Sequence, residues 1–170
     1  FLKKNNTAEK ILVGPSESMS KSKRNTIDPE KMIQEYGADA VRLFILSDSP
    51  PEKDIQWSDS GMSAAYKFIQ KFWLMNENIS SLIKKDNSKE TDENIDIFTN
   101  QAIEKINTAL EKFRYNVIIA VFHDIYNFYN KVLENKKNLK ENFEKILLIM
   151  MPVIPHLANE CLKRINYDCK

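Results

Sequence analysis

Apolar residues recur at three- and four-residue steps through most of this chain, and polar runs separate the stretches where they do. From about Ser60 onward, Met62, Ala65, Ile69, Phe72, Trp73 and Ile79 mark one face of a long amphipathic helix. Lys84–Asn94 is polar and patternless, a linker. Phe98, Ala102, Ile106, Ala109, Leu110 and Phe113 predict the next helix. Arg114-Tyr115 interrupts it, and Asn116 is placed to cap a third, with the stripe Ile118, Val121, Phe122, Ile125, Tyr129 and Val132. Asn135–Asn142 is a second polar connection. Phe143, Ile146, Leu147 and Met150 give a fourth helix, broken by Pro152 and Pro155, and Leu157, Cys161 and Ile165 a short last one. Four or five antiparallel helices with short links make a bundle.

The first part of the chain has a different texture. Ile11-Leu12-Val13, ended by Gly14-Pro15, predicts a short strand leading into a loop over Ser16–Ile27. Asp28-Pro29-Glu30 then predicts a helix start, with Asp as N-cap, Pro at the first helical position and an acid in the first turn. That helix is expected to run to about Tyr36, with Gly37 as its left-handed stop. Asp39 is placed to cap another short helix, with Val41, Phe44 and Ile45 facing inward. Ser47–Trp57 reads as a Pro-containing turn and a short extended piece. The fold class is therefore mainly α: a small α/β region over residues 1–58 carrying the loop, then a helix bundle over residues 59–170.

Composition narrows the function. Twenty-five basic against 24 acidic residues leave a net charge of +1, so no global field draws in nucleic acid and any RNA contact must come from a local patch. A hydrophobic content of 42% with 29% charged residues suits an ordinary soluble protein, and no apolar run approaches a membrane span. Phe1-Leu2-Lys3-Lys4 lacks a signal-peptide core, which makes the cytoplasm the expected location. The absence of an initiator Met suggests an excerpt from a longer protein. Cys161 and Cys169 match no zinc spacing, and Cys161 falls on an apolar stripe, so no metal site is expected. His123 and His156 are too far apart to suggest a local metal site, and His156, after Pro155 at a helix start, reads as structural. The aromatics Phe122, Tyr126, Phe128 and Tyr129 could stack on bases, but their helical spacing favours packing. Lys67 and Lys71 read as solvated, with RNA backbone contact as the alternative.

The candidate chemistry lies in Ser18-Met19-Ser20-Lys21-Ser22-Lys23-Arg24-Asn25, followed by Ile27-Asp28-Pro29. Cations, hydroxyls and backbone amides crowded into one loop suit a polyanion whose charge shifts during a reaction. The competing reading is a solvated basic turn.

The order of these residues resembles a known family. Met19-Ser20-Lys21-Ser22 is similar to the KMSKS signature of class I aminoacyl-tRNA synthetases, and Asn25, Asp28-Pro29 and Tyr36-Gly37-Ala38-Asp39-Ala40-Val41-Arg42 continue the likeness. Lys23-Arg24-Asn25 after the signature, and Leu46-Ser47-Asp48-Ser49-Pro50-Pro51-Glu52-Lys53-Asp54 with Trp57 close behind, resemble bacterial leucyl-tRNA synthetases. Isoleucyl, valyl and methionyl relatives usually read Leu-Gly-Asn at the first of these places. The likeness extends more weakly through Arg114-Tyr115-Asn116 and Met151-Pro152-Val153-Ile154-Pro155-His156-Leu157-Ala158. One position departs: the signature's first Lys is Ser18 here.

The resemblance implies an ATP-dependent leucine–tRNA ligase, with ATP and Mg2+, leucine and tRNA(Leu) as its substrates and partners, and a monomer as the default. It implies a stem-contact region carrying the loop, then a bundle of the class Ia anticodon-binding type that supports the tRNA body. Lys21 matches the signature's second lysine and is implied as the catalytic cation on the departing pyrophosphate. Met19, Ser20 and Ser22 are implied as ATP-binding with it, and Lys23 and Arg24 as tRNA or phosphate contacts that compensate in part for Ser18. Neither histidine sits in a HIGH-like signature, and no complete Rossmann unit or editing domain is recognisable, so these residues by themselves are not expected to aminoacylate. The alternatives are the same segment of an isoleucyl, valyl or methionyl enzyme, or a non-catalytic helical RNA-binding module.

Overall fold

Local capping chemistry sets where the chain enters and leaves its first helices. The computed structural model describes residues 15–48, 50–85, 88 and 90–166, so the strand expected at Ile11-Leu12-Val13, and Cys169, lie outside the described residues. Asp28 holds an extended backbone, and its carboxylate accepts the Glu30 N–H at 3.0 Å, opening α1 (Pro29–Tyr36). Gly37, at φ 82°, closes that helix by donating its N–H to the Ile33 carbonyl at 2.9 Å, a backbone angle that a residue with a Cβ adopts only at a cost. α2 (Ala38–Asp48) follows directly.

Five helices then form the bundle: α3 (Asp59–Lys84), α4 (Glu93–Glu111), α5 (Tyr115–Tyr129), α6 (Leu139–Met150) and α7 (Pro155–Arg164). All seven helices, with no strand, make up the regular structure of the described residues, so the chain is mainly α. Ser58 caps α3 by accepting the Gly61 N–H at 3.1 Å, and Asp92 caps α4 through the Asn94 N–H at 2.9 Å. The core is continuous across the helices. Phe72 of α3, Phe122 and Tyr129 of α5, and Phe143 and Leu147 of α6 are all fully buried. Each such side chain contributes on the order of 1.5–3 kcal/mol by leaving water. α2 feeds the same core with Ala40, Leu43 and Phe44. The Phe44 ring stands edge-on to Trp57 at 5.1 Å and lies so close to Gly61 that a Cβ there would meet it at 2.8 Å.

Several sequence expectations shift. Asn116 does not cap the third bundle helix; α5 already begins at Tyr115, and its N-cap position, Arg114, makes no side-chain cap. Phe113 leaves the apolar stripe: the chain turns there at φ 53°, and the ring is 61% exposed. Asp39 does not cap its own helix. It is buried, and its carboxylate reaches to the start of α7 instead. The polar run Asn135–Asn142 is only partly a connection, because α6 begins at Leu139 and two of its asparagines are structural. Asn138 and Asn142 donate to the two oxygens of Asp96, each at 2.7 Å, and Asn138 also exchanges hydrogen bonds with the Asp92 backbone. Polar residues there tie the N-terminus of α4 to that of α6. The aromatics behave as core: Thr99 and Tyr129 hydroxyls share a hydrogen bond of 2.9 Å, and Phe98 stacks on Phe128 at 4.0 Å. Burial pushes the Tyr129 phenol well above its ordinary value, and the Cys161 thiol up to about 12.

Candidate functional site

The loop before α1 has no apolar anchor of its own, and short-range hydrogen bonds shape it. The backbone turns twice, with Lys23 N–H donating to the Ser20 carbonyl and Arg24 N–H to the Lys21 carbonyl, both at 3.2 Å. Arg24 closes the turn in the left-handed region at φ 53°, a conformation that is costly for a residue with a long side chain. Asn25 clasps the loop from its far end. Its Oδ1 accepts the Ser20 N–H at 2.8 Å, and its Nδ2 donates to the Ser18 carbonyl at 3.4 Å. Ser20 Oγ sits 3.2 Å from Ser22 Oγ and also accepts from the Lys23 N–H at 3.3 Å. The two hydroxyls therefore face each other across the turn.

The cations are not equivalent. Lys23 Nζ lies 2.7 Å from Glu17 Oε2, so that charge is already matched by the chain. Both side chains are half-exposed, and water screens such a pair heavily. Lys21 is exposed, and among the described residues its ammonium has no hydrogen-bond or ion-pair partner. Arg24 is likewise exposed. Met19 is 46% exposed rather than seated on the core. The structure thus brings Ser20, Lys21 and Ser22 onto one turn and pairs Lys23 with an acid. The N-terminus of α1 adds no open anion site, because Asp28 fills it.

Sequence reasoning missed Glu17 and gave Asn25 no task. Asn25 had a local signal, since an Asx side chain near a tight turn commonly bonds nearby backbone. Glu17 had none, because pairing across six residues of loop depends on how the loop folds back. Among the described residues, no three or more His, Cys, Asp or Glu side chains gather into a set able to hold a metal ion. No described helix is long and apolar enough to cross a membrane.

Residues 11–58 match the family described as tRNA synthetases class I (I, L, M and V), and residues 92–169 match the anticodon-binding domain of tRNA ligase. The leucine–tRNA ligase of Hyphomonas neptunium is 34% identical over 94% of this chain and 19% of its own length. That of Granulibacter bethesdensis is 38% identical over 91% of the chain and 19% of its own length. That of Orientia tsutsugamushi is 38% identical over 88% and 18%. The crystal structure of an Agrobacterium radiobacter K84 LeuRS in ternary complex with tRNA and LeuAMS superposes with a TM-score of 0.76, covering 89% of this chain and 20% of that one at 24% identity, which establishes a shared fold. The chain spans about a fifth of the length of the curated relatives it matches, and over that span it belongs to the leucine–tRNA ligases, class I tRNA synthetases.

Proposed function

We propose that this chain supplies two parts of a leucine–tRNA ligase: the signature loop that acts on ATP, within residues 1–58, and the helical domain that supports tRNA(Leu), residues 59–170. The observation that carries the reading is the turn over Ser20–Arg24, where the Ser20 and Ser22 hydroxyls face each other and Lys21 is exposed, in a chain similar to leucine–tRNA ligases along nearly its whole length. In the reaction the leucine carboxylate attacks the α-phosphorus of ATP, the bond to the bridging oxygen breaks, and pyrophosphate leaves. Lys21 stabilises the charge that grows on that leaving group, so its effect is greater in the transition state than in bound ATP. Ser20 and Ser22 donate hydrogen bonds to phosphate oxygens, and Met19 covers the nucleotide as the loop closes. The terminal ribose hydroxyl of tRNA(Leu) then attacks the carbonyl carbon of leucyl-adenylate and AMP departs.

Arg24 is the loop cation best placed to offset Ser18, because Lys23 is held by Glu17. The loop's own side chains, cations and hydroxyls, are poor ligands for a hard divalent cation. These side chains do not form a Mg2+ site. The expected setting is a cytoplasmic, monomeric enzyme. The test is leucine-dependent ATP–pyrophosphate exchange in the full-length protein, run beside isoleucine, valine and methionine, in the parent and in Lys21→Ala. Leucine-driven exchange that collapses in the variant supports the reading. Exchange with another of the four amino acids corrects the substrate, and none with any of them favours the non-catalytic RNA-binding alternative.

A further inference from the structure

One face of α2 carries an acid and a base one turn apart, and both leave that helix to bind the junction between α6 and α7. Asp39 Oδ2 accepts the Leu157 backbone N–H at 2.6 Å, and Oδ1 accepts from His156 Nδ1 at 2.9 Å. Leu157 is the third residue of α7, and its N–H is one that a helix's own N-cap would normally satisfy. The N-cap position here, Ile154, has no side chain able to do so. Asp39 therefore caps α7 from 118 residues away in sequence. Arg42 completes the contact: Nε donates to the Val153 carbonyl at 2.8 Å and Nη2 to the Pro152 carbonyl at 2.7 Å, both just past the C-terminus of α6. The acid meets the positive end of one helix and the base the negative end of the other, so both contacts gain from the helix dipoles. Asp39 is 6% exposed, which shields its contacts from water.

The geometry points to Asp39 and Arg42 as positioning residues that lock the loop-bearing segment to the tRNA-supporting bundle. This rests on the function proposed above. The segment needs such a lock because α1, which connects the loop to α2, buries none of its own residues. With α1 so lightly packed, the orientation of the bundle relative to the loop depends on how firmly α2 grips it. Charge and directional hydrogen bonds hold that grip in register, where the apolar contacts of Ala40, Leu43 and Phe44 alone would tolerate sliding.

Loosening the lock should misplace the acceptor end of tRNA more than the ATP chemistry, since adenylate formation needs the loop but not the bundle. The experiment uses full-length enzyme with Arg42→Ala and Asp39→Asn. Arg42 is an exposed side chain, so its truncation opens no cavity in the core. Leucine-dependent pyrophosphate exchange is expected to stay within about twofold, while kcat/KM for tRNA charging falls about tenfold or more, the penalty of a mispositioned reactant. Equal losses in both reactions would mean that the contacts only maintain folded protein, and no loss in either would mean that they position nothing; both outcomes overturn the inference. A parent enzyme that shows no leucine-dependent exchange would overturn the functional reading instead.

Discussion

The signature loop and the bundle solve opposite problems. Between Ser16 and Asp28 nearly every residue is exposed, and what order there is comes from hydrogen bonds a few residues long. In α5 and α6 whole faces are buried, with Ile118, Phe122, Ile125, Phe143, Ile146 and Leu147 fully withdrawn from water. A loop held so lightly can change shape at little cost, and its side chains face outward. The bundle's residues are chosen for volume and spacing. Mutations should therefore separate cleanly, touching stability in one region and chemistry in the other.

Phe122→Ala should have the largest effect, a stability loss of about 3–5 kcal/mol, seen as a lower urea midpoint of the chain. If it changed exchange but not stability, the bundle would be more than a support. Lys21→Ala is expected to cost about 10²–10³-fold in leucine-dependent exchange, the scale for removing one preorganised charge-stabilising group. Its melting temperature should not move, and a lower one would tie the loop to the core. Asn142→Ala removes one of the two side-chain donors to Asp96 and should destabilise by about 2 kcal/mol, read by chemical denaturation, because a partly buried carboxylate is left short of a partner.

Smaller effects sharpen the division. His123, exposed on one side and packed edge-on to Phe68 on the other, is held below its ordinary pKa chiefly by partial desolvation, opposed by Asp124 and helped by Lys71. The unfolded chain then binds a proton more readily than the folded one, so stability falls as pH drops through about 6.5, the ordinary histidine value. Comparing melting temperatures at pH 7.5 and 5.5 with those of His123→Gln isolates this contribution, which the glutamine variant should lack. Ser18→Lys restores the signature's first cation and should change exchange by about threefold at most, as expected for an exposed charge in water. A hundredfold gain would mean that Arg24 does not compensate for Ser18.

The helices were legible because their causes are local. Asp28-Pro29 and Gly37 mark both ends of the eight-residue α1, and the stripes of α3, α5 and α6 repeat often enough to define a face. Errors gathered where a polar residue had two possible partners. Asn116 looked like a cap, yet the turn at Phe113 lets α5 begin two residues earlier, with Arg114 at the N-cap position. Asn138 and Asn142 looked like linker residues because nothing local distinguishes a solvated asparagine from one aimed at a partly buried acid.

The sequence by itself determined the order of the helices, most of the faces they bury, though Ile45, expected inward on α2, is 45% exposed, and the Met19–Ser22 signature with its likeness to one enzyme family. Each is encoded in spacings of a few residues, where sequence neighbours are also neighbours in space. Only the tertiary structure decided what Asp39, Arg42 and Asp96 hold, and that Glu17 pairs with Lys23 while Lys21 has no partner among the described residues. A charged side chain takes its partner from whatever packing brings within about 3 Å, the hydrogen-bond range. For Asp39 that partner lay 118 residues along the chain, a distance over which no sequence pattern specifies a contact.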